Sequence, residues 1–155
     1  MRPHDYHVHT LLGDYFLVQQ SLRQAAGEFE TVVQQAPADV PALNNLAWTY
    51  LQLNDSRAQS FAERAYRLAP TSPGVADTLG WVLAHNRDTS RALPLLEQAA
   101  KAANTDPEIQ YHYAYVLAQS GKRAEAREIL TRALARTRDF ASRRDAERLL
   151  ADLKA

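Results

Sequence analysis

The sequence predicts an all-α fold, a stack of about four helical hairpins closed by one last helix. Three observations carry that prediction. Apolar residues recur at the i, i+3, i+4, i+7 spacing of amphipathic helices along almost the whole chain. The same helix–turn–helix pattern returns about every 34 residues. The 155 residues are rich in alanine, leucine, arginine and glutamine but hold only 5 glycines, a composition that favours helix.

The clearest unit covers residues 73–106. Its first helix, over 75–85, carries Ala76, Leu79, Gly80 and Leu83 on one face. Asn86, Arg87, Asp88 and Thr89 break the pattern as a polar turn, and Asp88 or Thr89 is placed to cap the next helix. That helix carries Ala92, Leu95, Leu96 and Ala99, and 104–107 ends it. Pro94 lies early enough to predict a slight bend rather than a break. Gly80 and Ala92 are small, so the two helices can approach closely. A single hairpin cannot bury its own apolar face, whereas stacked neighbours can.

One repeat upstream, Leu43, Leu46, Ala47 and Tyr50 form the first stripe and Ala58, Ala62, Ala65 and Tyr66 the second. One repeat downstream, Tyr113, Ala114 and Leu117 are followed by Ala126, Leu130, Ala133 and Leu134. At the start, Leu12, Gly13 and Phe16 precede Ala25, Phe29, Val32 and Val33. We expect one domain, with repeats near 6–39, 40–72, 73–106 and 107–140 and a capping helix over 141–154. The turn of the second unit is one residue shorter than the others.

In all four units a small residue (Gly13, Ala47, Gly80, Ala114) follows a large one, and an alanine (Ala25, Ala58, Ala92, Ala126) sits in the second helix. This pattern resembles the tetratricopeptide repeat, W-x2-L-G-x2-Y…A-x3-F…A…P, over about residues 6–140. No first helix has the leading tryptophan, and Asn104 and Arg138 replace the closing proline of the last two units. The resemblance implies a right-handed α-solenoid that binds a protein or peptide in a concave groove lined by the first helices, and does no chemistry. The phrases LNNLAW, DTLGW and PEIQYHYAYVLAQSGKRAEAR are also similar to the C-terminal repeats of tetratricopeptide lipoproteins from bacterial exopolysaccharide and exosortase (PEP-CTERM-type) systems. That narrower resemblance implies a periplasmic or envelope location and a glycan-contacting module; without it, a cytoplasmic location is expected.

At about 100° per residue, Trp81 points about 150° from the centre of its own core stripe. Trp48 and Tyr115 hold the same place in their units. By the resemblance, Asn44, Gln52, Asp77, His85, Tyr111 and Gln119 share that groove surface. Aromatic faces beside amide and carboxylate groups suit an extended peptide or a glycan. The alternative is that Trp48, Trp81 and Tyr115 pack between adjacent first helices. The lysines and arginines of a C-terminal-carboxylate clamp are missing from these places, which argues against a chaperone-tail specificity.

The two ends differ. Leu149, Leu150 and Leu153 share one face of the last helix, and charged residues cover the rest, as in a solubilising cap. The first helix is apolar almost all round, which calls for neighbours on several sides. We expect the chain to be the C-terminal part of a longer array cut just before Tyr6. We also expect that Leu11, Tyr15, Leu17 and Val18 can mediate self-association into a homo-oligomer, the alternative to a groove-binding role.

Other classes find little support. The 18 basic and 18 acidic residues cancel, which disfavours nucleic acid and anionic membranes. Arg143, Arg144 and Arg148 are interleaved with Asp145, Glu147 and Asp152, a solvated face. No run approaches the length of a membrane helix, so no membrane insertion is expected, and MRPHDYHVH lacks the core of a signal peptide. With no cysteine there is no thiolate site. His4, His7 and His9 lack a well-spaced third ligand, and His85 and His112 read as groove or surface residues. No phosphate loop or nucleophile elbow is present, so no cofactor, metal or catalytic residue is expected.

Overall fold

The computed structural model describes residues 5–154. Among these, every regular element is an α-helix: α1 (Asp5–Val18), α2 (Leu22–Gln35), α3 (Val40–Gln52), α4 (Ala58–Leu68), α5 (Pro73–His85), α6 (Thr89–Ala102), α7 (Pro107–Gln119), α8 (Arg123–Arg136) and α9 (Arg143–Lys154). The chain forms two compact units, Met1–Thr71 and Ser72–Ala155.

In the first unit, α1 pairs with α2 and α3 with α4, and α2 packs on α3. The predicted stripes are the core: Ala25, Phe29 and Val32 of α2, Leu43, Leu46, Ala47 and Tyr50 of α3, and Ala58, Ala62 and Ala65 of α4 are buried. Each large side chain fully buried in this way contributes about 1.5–3 kcal/mol. The small residues mark the points of closest approach. A Cβ on Gly13 would lie 2.5 Å from the Phe29 ring.

In the second unit, α5 pairs with α6 and α7 with α8. α6 packs on α7, α5 lies beside α7, and α9 closes against α7 and α8. Ala76, Leu79 and Leu83 meet the seam from α5, and Ala92, Leu96 and Ala99 from α6. A Cβ on Gly80 would lie 2.7 Å from Cγ of Leu96 and 3.3 Å from the Ala92 carbonyl oxygen. Pro94 stays inside an unbroken α6. Ala146 and Leu153 anchor α9.

Helix ends follow local chemistry. Asp39, Asp88 and Asp106 cap α3, α6 and α7 by accepting backbone N–H groups. Pro73 and Pro107 open α5 and α7, where a missing N–H costs nothing. Each hairpin turn uses the same device. Gln20, Asn54, Arg87 and Gly121 adopt positive φ of 58°, 54°, 64° and 82°. The N–H of the following residue then reaches back five residues, as from Ser21 to Phe16 at 2.8 Å and from Asp88 to Leu83 at 2.9 Å. Only the last turn uses glycine, although a side chain in this region costs about 1–2 kcal/mol.

Two outcomes follow for stability. Gly80→Ala should lose about 1–2 kcal/mol, because overpacking against Leu96 outweighs the gain in helix propensity. Gly27→Ala, in open space on α2, should gain up to about 1 kcal/mol. Urea melts of the two variants check this; a stabilised Gly80→Ala would mean the α5–α6 seam is loose. Arg87→Gly should raise stability by about 0.5–1 kcal/mol, since relief of the left-handed strain exceeds the added unfolded-state entropy. A lower thermal midpoint would show that the Arg87 side chain makes a contact worth more than the strain.

Candidate partner-binding surface

The candidate surface of the second unit lies on α5 and α7. Asp77 and His112 sit one repeat plus one residue apart, which sets them facing each other between these two helices. Both are buried, at 7% and 1% exposure. Nδ1 of His112 lies 2.9 Å from each oxygen of the Asp77 carboxylate. Trp81 stacks on the His112 ring, with centroids 4.0 Å apart and planes 18° from parallel. Tyr115 and Tyr111 meet the indole edge-on at 5.1 Å and 5.8 Å. His85 does the same at 4.5 Å, and its Nδ1–H donates to the Trp81 carbonyl oxygen at 2.9 Å. In the neutral ring this leaves Nε2 of His85 as an acceptor on an exposed side chain.

Glu108 lies one turn before His112. Its carboxylate accepts the Ser142 hydroxyl and, at 3.2 Å, the Ser142 N–H. One Glu108 oxygen is also 3.9 Å from Nε2 of His112. A polar line therefore runs from α5 through α7 to the start of α9. Burial holds the Tyr111 hydroxyl up at about 12, with Asp145, Tyr115 and Glu108 adding to it.

Of the residues the sequence points to here, Asp77, Trp81 and Tyr111 are buried, Tyr115 is half-buried, and His85 and Gln119 are exposed. His112 was expected at the groove or surface and is instead an interior partner of Asp77. A sequence signal for it exists: an acid at a groove position in one repeat, and a histidine one residue past the equivalent place in the next. In the first unit, Asn44 and Trp48 of α3 are half-buried and Gln52 is exposed. Among the described residues, the buried Oδ1 of Asn44 has no hydrogen-bond partner. The neighbouring Asn45 donates to Asp14 of α1 at 3.1 Å.

Sequence reasoning did not find the clefts between second helices. One of about 660 Å³ lies between α6 and α8, floored by Tyr113, which donates to Glu125 at 3.3 Å. Its counterpart between α2 and α4, about 480 Å³, holds Tyr50 under the Arg57 guanidinium, 4.2 Å from the ring centroid. Both are lined by acids and bases together, so neither selects a charge. No group of three or more metal-ligating side chains occurs among the described residues. His4 lies outside them, and His9 is taken by Glu28 at 2.6 Å. No described helix is long and apolar enough to cross a membrane.

Two family models, each described as Tetratricopeptide repeat, match residues 10–73 and 83–153. The chain belongs to the tetratricopeptide-repeat family. Solved structures agree on the fold. The Pseudomonas aeruginosa protein pilF matches with a TM-score of 0.79 at 18% identity, over 96% of this chain and 67% of its own. TTC0263, a thermophilic TPR protein of Thermus thermophilus, matches with a TM-score of 0.78 at 22% identity, over 99% and 83%. YrrB, described as a TPR protein with an unusual peptide-binding site, matches with a TM-score of 0.68 at 18% identity, over 94% and 74%. None of the curated proteins matches the chain. The fold class is thus the all-α helical-repeat solenoid. Tetratricopeptide repeats are typically non-catalytic scaffolds that bind protein or peptide partners, and the fold implies that role here.

Within this tetratricopeptide-repeat chain, Asp77 gives the clearest pH signature. Burial raises its carboxyl above the ordinary 3.8, and the hydrogen bond from His112 pulls it partly back. A folded value above the unfolded one means that folding favours the protonated acid. That contribution is complete below the unfolded value and is lost as pH rises through the raised one. Asp77→Asn fixes a neutral acceptor for His112. Its stability relative to wild type should therefore increase between pH 4 and pH 7 in paired denaturant melts. A variant that instead weakens toward neutral pH would show that the fold favours the ionised carboxylate.

Proposed function

We propose that the chain is a non-catalytic interaction scaffold that holds an extended peptide segment of a partner protein against its first helices. One observation carries the reading: α5 and α7 bring Trp81, Tyr111 and Tyr115 together over the buried Asp77–His112 pair. The buried members fix the platform before any ligand arrives, so little ordering entropy is lost on binding. Tyr115, His85 and Gln119 are the members left accessible, an aromatic face beside a hydrogen-bonding imidazole and amide. In the first unit, Asn44, Trp48 and Gln52 offer the same mixture from α3. The described peptide-binding site of YrrB, a relative in fold, supports a peptide as the ligand class.

Panning a displayed library of random peptides against the chain tests this. Selected peptides should lose about tenfold or more in affinity with Tyr115→Ser or His85→Ala, or with Trp48→Ala for those held by the first unit. Circular dichroism should be unchanged, since none of these side chains is fully buried. Peptides that bind all the variants as well as wild type would sink the reading. Polysaccharide binding lost with Tyr115→Ser, in the absence of any selected peptide, would assign the surface to glycans instead.

A further inference from the structure

Beyond the first-helix surface and the apolar face of α1, where Leu11, Tyr15 and Val18 are exposed and Leu17 is half-buried, one cleft stands out. It holds about 660 Å³ between α6 and α8, within the size range of ligand pockets. Its charges cancel in sum but are sorted along its length. Glu97 precedes Lys101 on α6, and Glu125 and Glu128 precede Arg132 and Arg136 on α8. As second helices of successive hairpins, α6 and α8 run in the same sense. Acids therefore stand at one end and bases at the other, where Arg136 reaches the Asn104 carbonyl oxygen just past α6 at 3.4 Å.

The first unit shows what fills the acidic corner of such a cleft. Glu30 of α2 and Arg57 of α4 pair there at 3.4 Å, and the guanidinium lies 4.2 Å from the Tyr50 ring centroid. Two repeats on, with Ala25 aligned to Ala92 and Ala58 to Ala126, Glu30 becomes Glu97 and Arg57 becomes Glu125. The acid is kept, and the cation is replaced by a second acid. A tyrosine is again at the floor. The Tyr113 hydroxyl donates to Glu125 at 3.3 Å, and burial, with Glu125 and Glu97 adding to it, holds it up at about 12. Among the described residues, cation–aromatic contacts fall on Tyr50 and Phe61 and none falls on Tyr113. Lys101 pairs with Glu97 at 2.5 Å, and Lys122 also acts on it. The Lys101 pair is an exposed contact within one helix, which contributes little and is easily exchanged. Among the described residues, no cation pairs with Glu125.

We propose that this cleft is a second peptide site, independent of the first-helix surface, in which a basic side chain of a partner protein lies between Glu97 and Glu125. A cation there meets one carboxylate from each helix beside the Tyr113 phenol. That is the arrangement Arg57 has with Glu30 and Tyr50 inside the first unit. Arginine suits the place better than lysine, because its planar fork serves two carboxylates at once. Arg132 and Arg136 at the far end repel a second cation and favour an acid. Glu125 and Arg132 are seven residues apart, about 10 Å along the helix. An extended chain covers that distance in about three residues. The ligand is therefore an extended segment with a basic and an acidic side chain two to four residues apart. The cleft is built before binding, since Gln110 of α7 donates to the Ala100 carbonyl oxygen of α6 at 2.9 Å.

Panning a displayed library of random peptides against a Trp48→Ala/Tyr115→Ser variant tests this. The variant removes accessible aromatics of the first helices and leaves the cleft intact. Selected peptides should carry arginine or lysine with aspartate or glutamate two to four residues away. Adding Glu125→Gln should weaken them at least about tenfold. Adding Glu125→Arg should abolish binding, because the chain then supplies the cation itself, as Arg57 does. Circular dichroism should be unchanged in both, since Glu125 is exposed. A library that yields no binder overturns the proposal, as do selected peptides without a basic residue or peptides unmoved by Glu125→Gln. Basic peptides with no acid in that window overturn the part given to Arg132 and Arg136. None of these outcomes bears on the first-helix reading, whose aromatics the variant lacks.

Discussion

The structure depends on how closely the two helices of each hairpin approach. At Gly13 and Gly80 there is no room for a methyl group. Phe29 and Leu96 fill the space that a side chain would have taken, and both are fully buried. That contact fixes the rotation of the first helix about its axis. Once the rotation is fixed, so is the set of side chains turned away from the hairpin. The aromatic platform on α5 and α7 is thus a consequence of glycine and alanine on the other side of the same helices.

Four near-identical turns close the four hairpins. Each reverses the chain through one left-handed residue and a backbone bond that reaches back five residues. Equal turns make sequence distance a measure of spatial distance. Within the second unit, residues about one repeat apart become neighbours. Asp77 with His112 and Glu108 with Ser142 are two such pairs in the second unit. Buried polar groups have to find partners, and the repeat delivers them at nearly constant spacing.

What could be read from the sequence was what repeats. The stripes and the small residues at the seams were legible, because several positions voted for each; the sequence left Asp88 and Thr89 both open as the cap of α6, and the structure uses Asp88. Single positions were harder. Nothing in Gln20 or Arg87 announces a left-handed residue, since neither residue type favours that region; the fold imposes it through the turn they share with Gly121. Asn104 stands in place of the closing proline of its repeat. α6 stops at Ala102 all the same, as the polar run predicts, and the Asp106 cap starts α7 afresh. Helical geometry turned Trp81 away from its own hairpin, but only packing shows that α7 presents His112 to receive it. On α1, periodicity showed apolar residues all round. Which of them are buried was decided by Phe29, a residue on another helix.

The Asp77–His112 pair also explains why an interior position tolerates a charge-bearing residue at all. A leucine there would bury well against many arrangements of α5 and α7, because dispersion and apolar burial are indifferent to small slips. A carboxylate and an imidazole are not. Sliding α7 by one turn would leave Asp77 buried without the His112 ring, at a cost of about 1–3 kcal/mol for an unsatisfied polar group. Trp81 adds to this, since its stack on His112 requires the imidazole plane that the Asp77 bond sets. That cost favours the observed register, in which Tyr111 and Tyr115 meet the indole edge.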